Sequence, residues 1–417
     1  MPDSASIARY LMSQSSVPTW SLSDANTILR LSAEQVVPRG QKGKIIYQCL
    51  SWLHFSVLQF LFMIMVGGFE VIRWWWANLQ SVKTPLPTGA RIFVGFGAGS
   101  EEDAWQSYLK EHDSMSIRIN QTIPGAQQGL VGANLWLALK NVFCNAKQVI
   151  FGYKNVEGPL HTHKLDFLTI AVSRLGAYSF FCAWWKAVSK FEPREICFMS
   201  PDTASHACLA AGLKNTVFRQ HGLLLKSIIF PHLHRIETIT EDEQHFLQDL
   251  LPNCEVVIPI QKKNCDQYSK TLILAAHNVG EMPEAFALID WALSKDFKVI
   301  VRPHPAGGYD GNYWKQRYPN VQISSTTENF EQLLFDECPL FIASWISTTM
   351  VQALKGNIIP ISLESADNEI MQDMVYPILE RTYHWPECKP ILEKATEDPE
   401  EYTHALEKLR YRSVSCG

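Results

Sequence analysis

The residues with the most chemical potential are two histidines, two carboxylates and a run of hydroxyls. His304 stands between Pro303 and Pro305, after Arg302 and the apolar run Val299-Ile300-Val301. The two prolines fix φ and remove two backbone donors, and each drives its predecessor toward an extended conformation. Arg302 and His304 are therefore expected at the carboxyl end of a strand, where open α/β sheets bind ligands. Further on, Ser344-Trp345-Ile346-Ser347-Thr348-Thr349 sets hydroxyls at the start of a helix. Free N–H groups and a partial positive charge at such a start bind phosphate, although the same residues also read as an ordinary N-cap. His304 adds a donor near neutral pH, and Arg302 a cation, so the set describes a site for one or two phosphates.

A second set lies earlier in the chain. His221, in Gln220-His221-Gly222, follows a strand-like run. Gly222 permits a sharp turn and close approach to the backbone, and Lys226 would share a face with the histidine on a helical turn. His221 is a candidate general base or phosphate donor, or else a core histidine. Glu157 and Asp202 are expected in loops after strands, where either could take a proton from a hydroxyl or serve as a helix cap. No carboxylate pair with metal spacing accompanies the phosphate residues, and no metal is expected.

The elements that must hold these groups alternate. Strands are expected over Arg91–Phe96, Ser116–Ile119, Gln148–Tyr153, Glu195–Met199 and Thr216–Arg219, with helices over Glu101–Glu111, Gly132–Phe143, Leu165–Ser189 (with a break at Gly176) and Thr203–Ala211. The turn Gly95–Ser100 departs from GxGxxG and is followed by three acidic residues, so it reads as a tight first turn rather than a dinucleotide site. Ile236–Pro259, with a helix Glu241–Leu250 and a short strand Glu255–Ile258, reads as a crossing between domains. The second half repeats the alternation. Its strands are Thr271–Ala275, the run ending at Arg302, Val321–Ser324, Leu340–Ala343 and Ile358–Ile361. Its helices are Pro283–Ser294, with proline at a favoured start, Asn329–Phe335, and one closed by Gly356 near Lys355. Such alternation implies parallel sheets covered on both faces.

At 417 residues, 47% hydrophobic and 19% charged, the chain is a globular protein with room for two domains. A net charge of −5 gives no reason to expect a nucleic-acid partner. The 10 cysteines show no CxxC pair, which fits a reducing compartment. Ile45–Phe69 carries no formal charge, is flanked by Arg39, Lys42, Lys44 and Arg73, and leads into Trp74-Trp75-Trp76. That is roughly the 20 or more residues needed to cross a bilayer, with interfacial tryptophans. Gln48, Ser51, His54, Ser56 and Gln59 dilute it, so a span, an interfacial helix and a buried helix all remain open. The expected organisation is a polar arm (1–44, with a short helix Asp24–Leu31 capped by Ser23), an apolar membrane-associating segment (45–82), a first Rossmann-like domain (90–235), a second (260–375) and a helical tail (376–417).

Over roughly Arg91 to Asp373 the chain resembles bacterial GT-B glycosyltransferases that build surface polysaccharides. Arg302-Pro303-His304-Pro305 resembles the HP motif, and Ser344-Trp345-Ile346-Ser347-Thr348 the S-S/T motif, of CMP-sialic acid and CMP-Kdo transferases. Gln220-His221-Gly222 with Lys226 is similar to a segment of CDP-glycerol glycerophosphotransferases. The acidic motif of the sialyltransferases is matched only in part, by Val156-Glu157-Gly158. The resemblance implies two Rossmann-like domains facing a cleft and transfer of a CMP-activated acidic sugar to a surface glycan or glycolipid, as in capsule or lipopolysaccharide synthesis. It implies that His304, Ser347 and Thr348 hold the nucleotide phosphate, and that His221, Asp202 or Glu157 supplies the base. It further implies no cofactor beyond the sugar-nucleotide substrate, and work at the cytoplasmic face of the inner membrane. A CDP-alditol phosphotransferase, a UDP-sugar transferase and a sugar-nucleotide epimerase are the alternatives.

Overall fold

The computed structural model describes residues 4–13, 17–22, 41–53, 56–81, 86–95, 101–112, 116–120, 131–154, 164–220, 222–259, 268–276, 283–303, 311–325, 330–345, 347–363 and 372–410. Alternation of strand and helix produces two six-stranded, all-parallel sheets, one in each of two compact units.

The first unit comprises 1–220, 225–238 and 244–257. It begins with α1 (Ser4–Ser13), which buries Ile7, Ala8 and Leu11, and a short 3₁₀ turn at Thr19–Ser21. Two helices follow, α2 (Gln41–Trp52) and α3 (Ser56–Gln80). Then come β1 (Arg91–Gly95), α4 (Glu101–Glu111), β2 (Ser116–Asn120), α5 (Leu135–Lys154), α6 (Lys164–Val188), β3 (Glu195–Phe198), α7 (Thr203–Ala210) and β4 (Thr216–Arg219). The unit closes with β5 (Arg235–Glu237), α8 (Glu241–Leu250), whose first three residues belong to the second unit, and β6 (Glu255–Val257). The sheet order is 2-1-3-4-5-6, which reverses between β1 and β3. Helix α6 is apolar nearly all round and is buried accordingly, with Phe167, Phe180, Trp184 and Trp185 at its core.

The second unit comprises 221–224, 239–243 and 258–417. Its elements are β7 (Ser269–Ala276), α9 (Pro283–Ser294), β8 (Lys298–Pro303), α10 (Gly311–Arg317), β9 (Gln322–Ile323), α11 (Phe330–Glu337), β10 (Pro339–Ser344), α12 (Thr348–Lys355), β11 (Ile359–Ser362), β12 (Tyr383–His384), α13 (Lys389–Glu397) and α14 (Pro399–Arg410). The order is 9-8-7-10-11-12. Counted within the unit this is 3-2-1-4-5-6, the doubly wound dinucleotide-type order, reversing between β7 and β10. The tail completes this core: Leu392, Tyr402, Leu406 and Leu409 share one cluster with Trp291, Phe297 and Phe341.

Several expectations need correction. The run Gln148–Tyr153 is no strand but the end of α5. Its Val149 and Tyr153 continue the buried helical stripe of Ala138, Val142 and Ala146, with Tyr153 stacked on Phe167 of α6, and that packing overrides the β preference of the local sequence. Helix α6 runs unbroken through Gly176, where a Cβ would come within 2.2 Å of the Glu70 Cβ. The apolar segment is not one stretch: it divides after Trp52, and α3 extends past Phe69 to include Glu70 and Arg73. The residues from Ile236 to Pro259 supply two strands of the first sheet, so that sheet ends at Val257 rather than near residue 235. Gly356 does close α12, but with φ −78°, and the left-handed residue is the next one, Asn357. Asp24–Leu31 and the turn from Phe96 to Ser100 lie outside the described residues.

Candidate active site

In doubly wound sheets the carboxyl ends at the order reversal are where loops part and leave a crevice for ligand. Among the described candidates, Ser344 and Ser347–Thr349 follow β10 at the reversal of the second unit, Arg302 lies near the end of β8 in the same sheet, and Asp202 follows β3 at the reversal of the first unit.

In the second unit the reversal lies between β7 and β10. Ser344 ends β10, and its hydroxyl donates to the carbonyl of Ala275 on β7 at 3.3 Å, across the reversal itself. Ser344 is buried and its hydroxyl is occupied in joining the two strands. Ser347 caps α12 with extended backbone (φ −156°, ψ 150°), its Oγ accepting from the N–H of Thr349 at 3.2 Å. Thr348 opens the helix. Thr349 Oγ1 is buried and has no hydrogen-bond partner among the described residues. The N–H groups of Thr349 and Met350 are taken up by Ser347, through its Oγ and its carbonyl, so the first turn of α12 offers the Thr348 N–H, the partly exposed hydroxyl of Thr348 and the unsatisfied hydroxyl of Thr349, with the partial positive charge of a helix start that suits an anion. Arg302 is buried near the end of β8, level with Ala275 on β7. Pro303, the last strand residue, is level with Ala276. His304 lies outside the described residues.

In the first unit the reversal lies between β1 and β3. The chain leaves β3 through Met199-Ser200-Pro201, and Asp202 caps α7, its carboxylate accepting from the Ala204 N–H at 2.9 Å. Burial pushes the Asp202 carboxyl up to about 7, against the opposing pull of the Ala204 N–H, the Arg174 guanidinium and the Ser205 N–H. One helical turn on, His206 is buried with Nε2 lacking a partner. Burial, with Arg174 and His232 nearby, pushes it down to about 3, so it is neutral at physiological pH. Arg174 of α6 donates to the Ser21 carbonyl at 3.3 Å, and the Ser21 hydroxyl is hydrogen-bonded to the Tyr153 phenol. A carboxyl that titrates near neutrality beside a neutral imidazole can accept or return a proton. Sequence reasoning missed His206 and Arg174. The i, i+4 spacing of Asp202 and His206 was a signal available for the first; nothing local marked Arg174.

His221 and Glu157 lie outside the described residues. No helix forms after Gly222, so the shared helical face expected for His221 and Lys226 does not exist. Lys226 is partly exposed in a turn closed by Ile228 N–H to Leu225 C=O. A Cβ on Gly222 would meet nothing within 4 Å, so close packing does not require glycine there.

No family model matches the chain, and no curated protein matches it. Remote likenesses exist among solved structures. The UDP-GlcNAc 2-epimerase from Neisseria meningitidis bound to UDP-GlcNAc is 12% identical over 76% of this chain and 93% of its own, with a TM-score of 0.42. The MnaA of S. aureus with UDP is 12% identical over 76% and 91%, with a TM-score of 0.42. The MurG of Acinetobacter baumannii is 11% identical over 78% and 95%, with a TM-score of 0.39. Likenesses this remote assign neither activity nor ligand.

Proposed function

We propose that the chain is a metal-independent glycosyltransferase that moves a CMP-activated acidic sugar, of the Kdo or sialic acid type, onto a surface glycan or lipid-linked acceptor at the cytoplasmic face of the inner membrane. The observation that carries the reading is the hydroxyl-capped start of α12 at the order reversal of the second sheet, with the unsatisfied hydroxyl of Thr349 in its first turn. In this reading Ser347, Thr348, Thr349 and the positive start of α12 hold the nucleotide phosphate, and Arg302, near the end of β8, and His304 add positive charge. Asp202 takes the proton of the acceptor hydroxyl as that oxygen attacks the anomeric carbon and the bond to the phosphate breaks. Its position after β3 and its titration near 7 support that role. His221 and Glu157 are the other acid–base candidates. Lys226 is retained only as a peripheral cation.

The test is a thermal-shift panel of CMP, CDP and UDP on the full chain, repeated with His304→Ala. The reading expects stabilisation by CMP that the variant loses. Stabilisation by UDP alone would replace the cytidine assignment, and an epimer formed from a UDP-sugar without acceptor would replace the transferase assignment.

A further inference from the structure

The large apolar side chains left exposed among the described residues are confined to three helices of the first unit, α2, α3 and α5. On α3 they recur every three or four residues, through Leu58, Leu61, Met65, Phe69, Ile72 and Trp76. The opposite face is buried through Met63, Gly67, Val71 and Trp74. Helix α5 has the same division: Ala138, Val142, Ala146 and Val149 are buried, while Trp136 (81% exposed), Phe143 and Phe151 face out. The two helices pack together, Phe143 meeting Phe60 edge-on at 5.3 Å, so their exposed stripes adjoin. The surface is also basic in a chain of net charge −5. The three helices carry Lys42, Lys44, Arg73, Lys140, Lys147 and Lys154, and their one carboxylate, Glu70, is ion-paired to Lys42 at 3.0 Å and Arg73 at 2.8 Å. Lys44, Lys140 and Lys147 are exposed.

We infer that α3 and α5 together form an in-plane platform that seats the first unit on an anionic lipid bilayer, with Trp136, Phe143 and Phe151 entering the headgroup boundary beside Lys140 and Lys147. A one-sided apolar stripe with aromatic residues and flanking lysines is the pattern of a helix lying in the interface. Helix α3 is 25 residues, about 37 Å long, enough to cross, but its inner face is fixed. Gly67 lies against Val142 and Leu175, and the Glu70 Cβ closes on Gly176 of α6. Helix α6 in turn donates through Trp185 Nε1 to the Ala204 carbonyl of α7, which follows a sheet strand. Crossing would pull α3 from that seat. The inference deepens the membrane part of the proposed function and is independent of the transfer reaction.

The experiment is sedimentation of the purified full chain with phosphatidylcholine vesicles and with vesicles also carrying phosphatidylglycerol. The wild type is expected to bind the anionic vesicles, and high salt to weaken that binding. Trp136→Gln with Phe151→Gln, and separately Met65→Gln with Phe69→Gln, should each lower vesicle affinity about tenfold or more. Lys140→Glu with Lys147→Glu should lower it about tenfold or more on anionic vesicles only. All sites are exposed, so the far-UV circular dichroism and melting temperature of each variant should match the wild type. Undiminished binding by the α5 variants would overturn the platform. So would absence of wild-type binding, resistance of the membrane-bound chain to alkaline carbonate extraction, or a homodimer that Trp136→Gln dissociates. Failure of the CMP shift would leave the vesicle result intact, so the two readings fail separately.

Discussion

Asp202 combines an observed helix cap with a proposed role as base, and one substitution separates the two. Its side chain caps α7, and its carboxyl titrates near 7 because it is buried. Asparagine caps a helix nearly as well but cannot take a proton. Asp202→Asn is expected to keep the fold and lose transfer, and the wild-type rate should rise as pH increases through about 7, a limb absent from the variant. Stability provides a second readout. The folded value lies above the 3.8 of a free aspartate, so the stabilising contribution is full below 3.8, is lost as pH rises, and is gone above about 7. The melting temperature of Asp202→Asn should therefore gain on the wild type between pH 4 and 7 and hold that gain at higher pH, as differential scanning fluorimetry across pH would show. Ser347 permits a similar separation. Ser347→Ala should cost about 0.5–2 kcal/mol through the lost cap, whereas Ser347→Asp keeps a cap and sets a negative charge against the phosphate. Nucleotide affinity should fall about tenfold or more in Ser347→Asp with little change in melting temperature; unchanged affinity by isothermal titration would remove phosphate from α12. At this scale the sequence was informative where chemistry depends on local spacing, as in the α12 cap, and silent where it depends on a distant helix, as with Arg174.

Among elements, glycine contacts decide how α3 is held. Gly176 on α6 leaves room for the Glu70 Cβ, and a methyl group there would also meet the Gly67 carbonyl at 2.9 Å. Gly176→Ala is therefore expected to cost about 1–3 kcal/mol through overpacking, measured by chemical denaturation. Gly212→Ala, where nothing lies within 4 Å but φ is +84°, should cost less. The same contact explains why sequence reasoning broke α6 at Gly176: glycine lowers helix propensity, and only the partner helix shows why it is tolerated. The second half was more legible. Pro283–Ser294 matches its expected range, because proline marks the start and a buried apolar stripe fills the rest. Helix α8 also matched, since Thr240 and Glu243 form a reciprocal capping box that the local sequence encodes. What failed was choosing between helix and strand for a short run of β-branched and aromatic residues, Val149-Ile150-Phe151, where periodicity alone cannot arbitrate.

The whole molecule is two doubly wound sheets whose chain passes between units five times, at 220/221, 224/225, 238/239, 243/244 and 257/258. A sequence read in order assigns one boundary where there are several, which is why β5 and β6 read as a crossing. The tail was legible as helical, but its weight in the second core was not. Leu392, Tyr402, Leu406 and Leu409 are buried there, worth roughly 1.5–3 kcal/mol each, a sum comparable with the about 5–15 kcal/mol that holds a domain together. A chain ended after Glu387 is expected to lose protease resistance over residues 258–387 while the first unit stays protected, as limited proteolysis with mass spectrometry would show. The position of those four side chains also sets an order of events during synthesis. The first sheet has all its strands once Val257 has emerged, whereas the second core stays open until Leu409 leaves the ribosome. In the proposed reading, a nascent chain would therefore present its finished apolar helices to lipid well before its second core could hold a nucleotide.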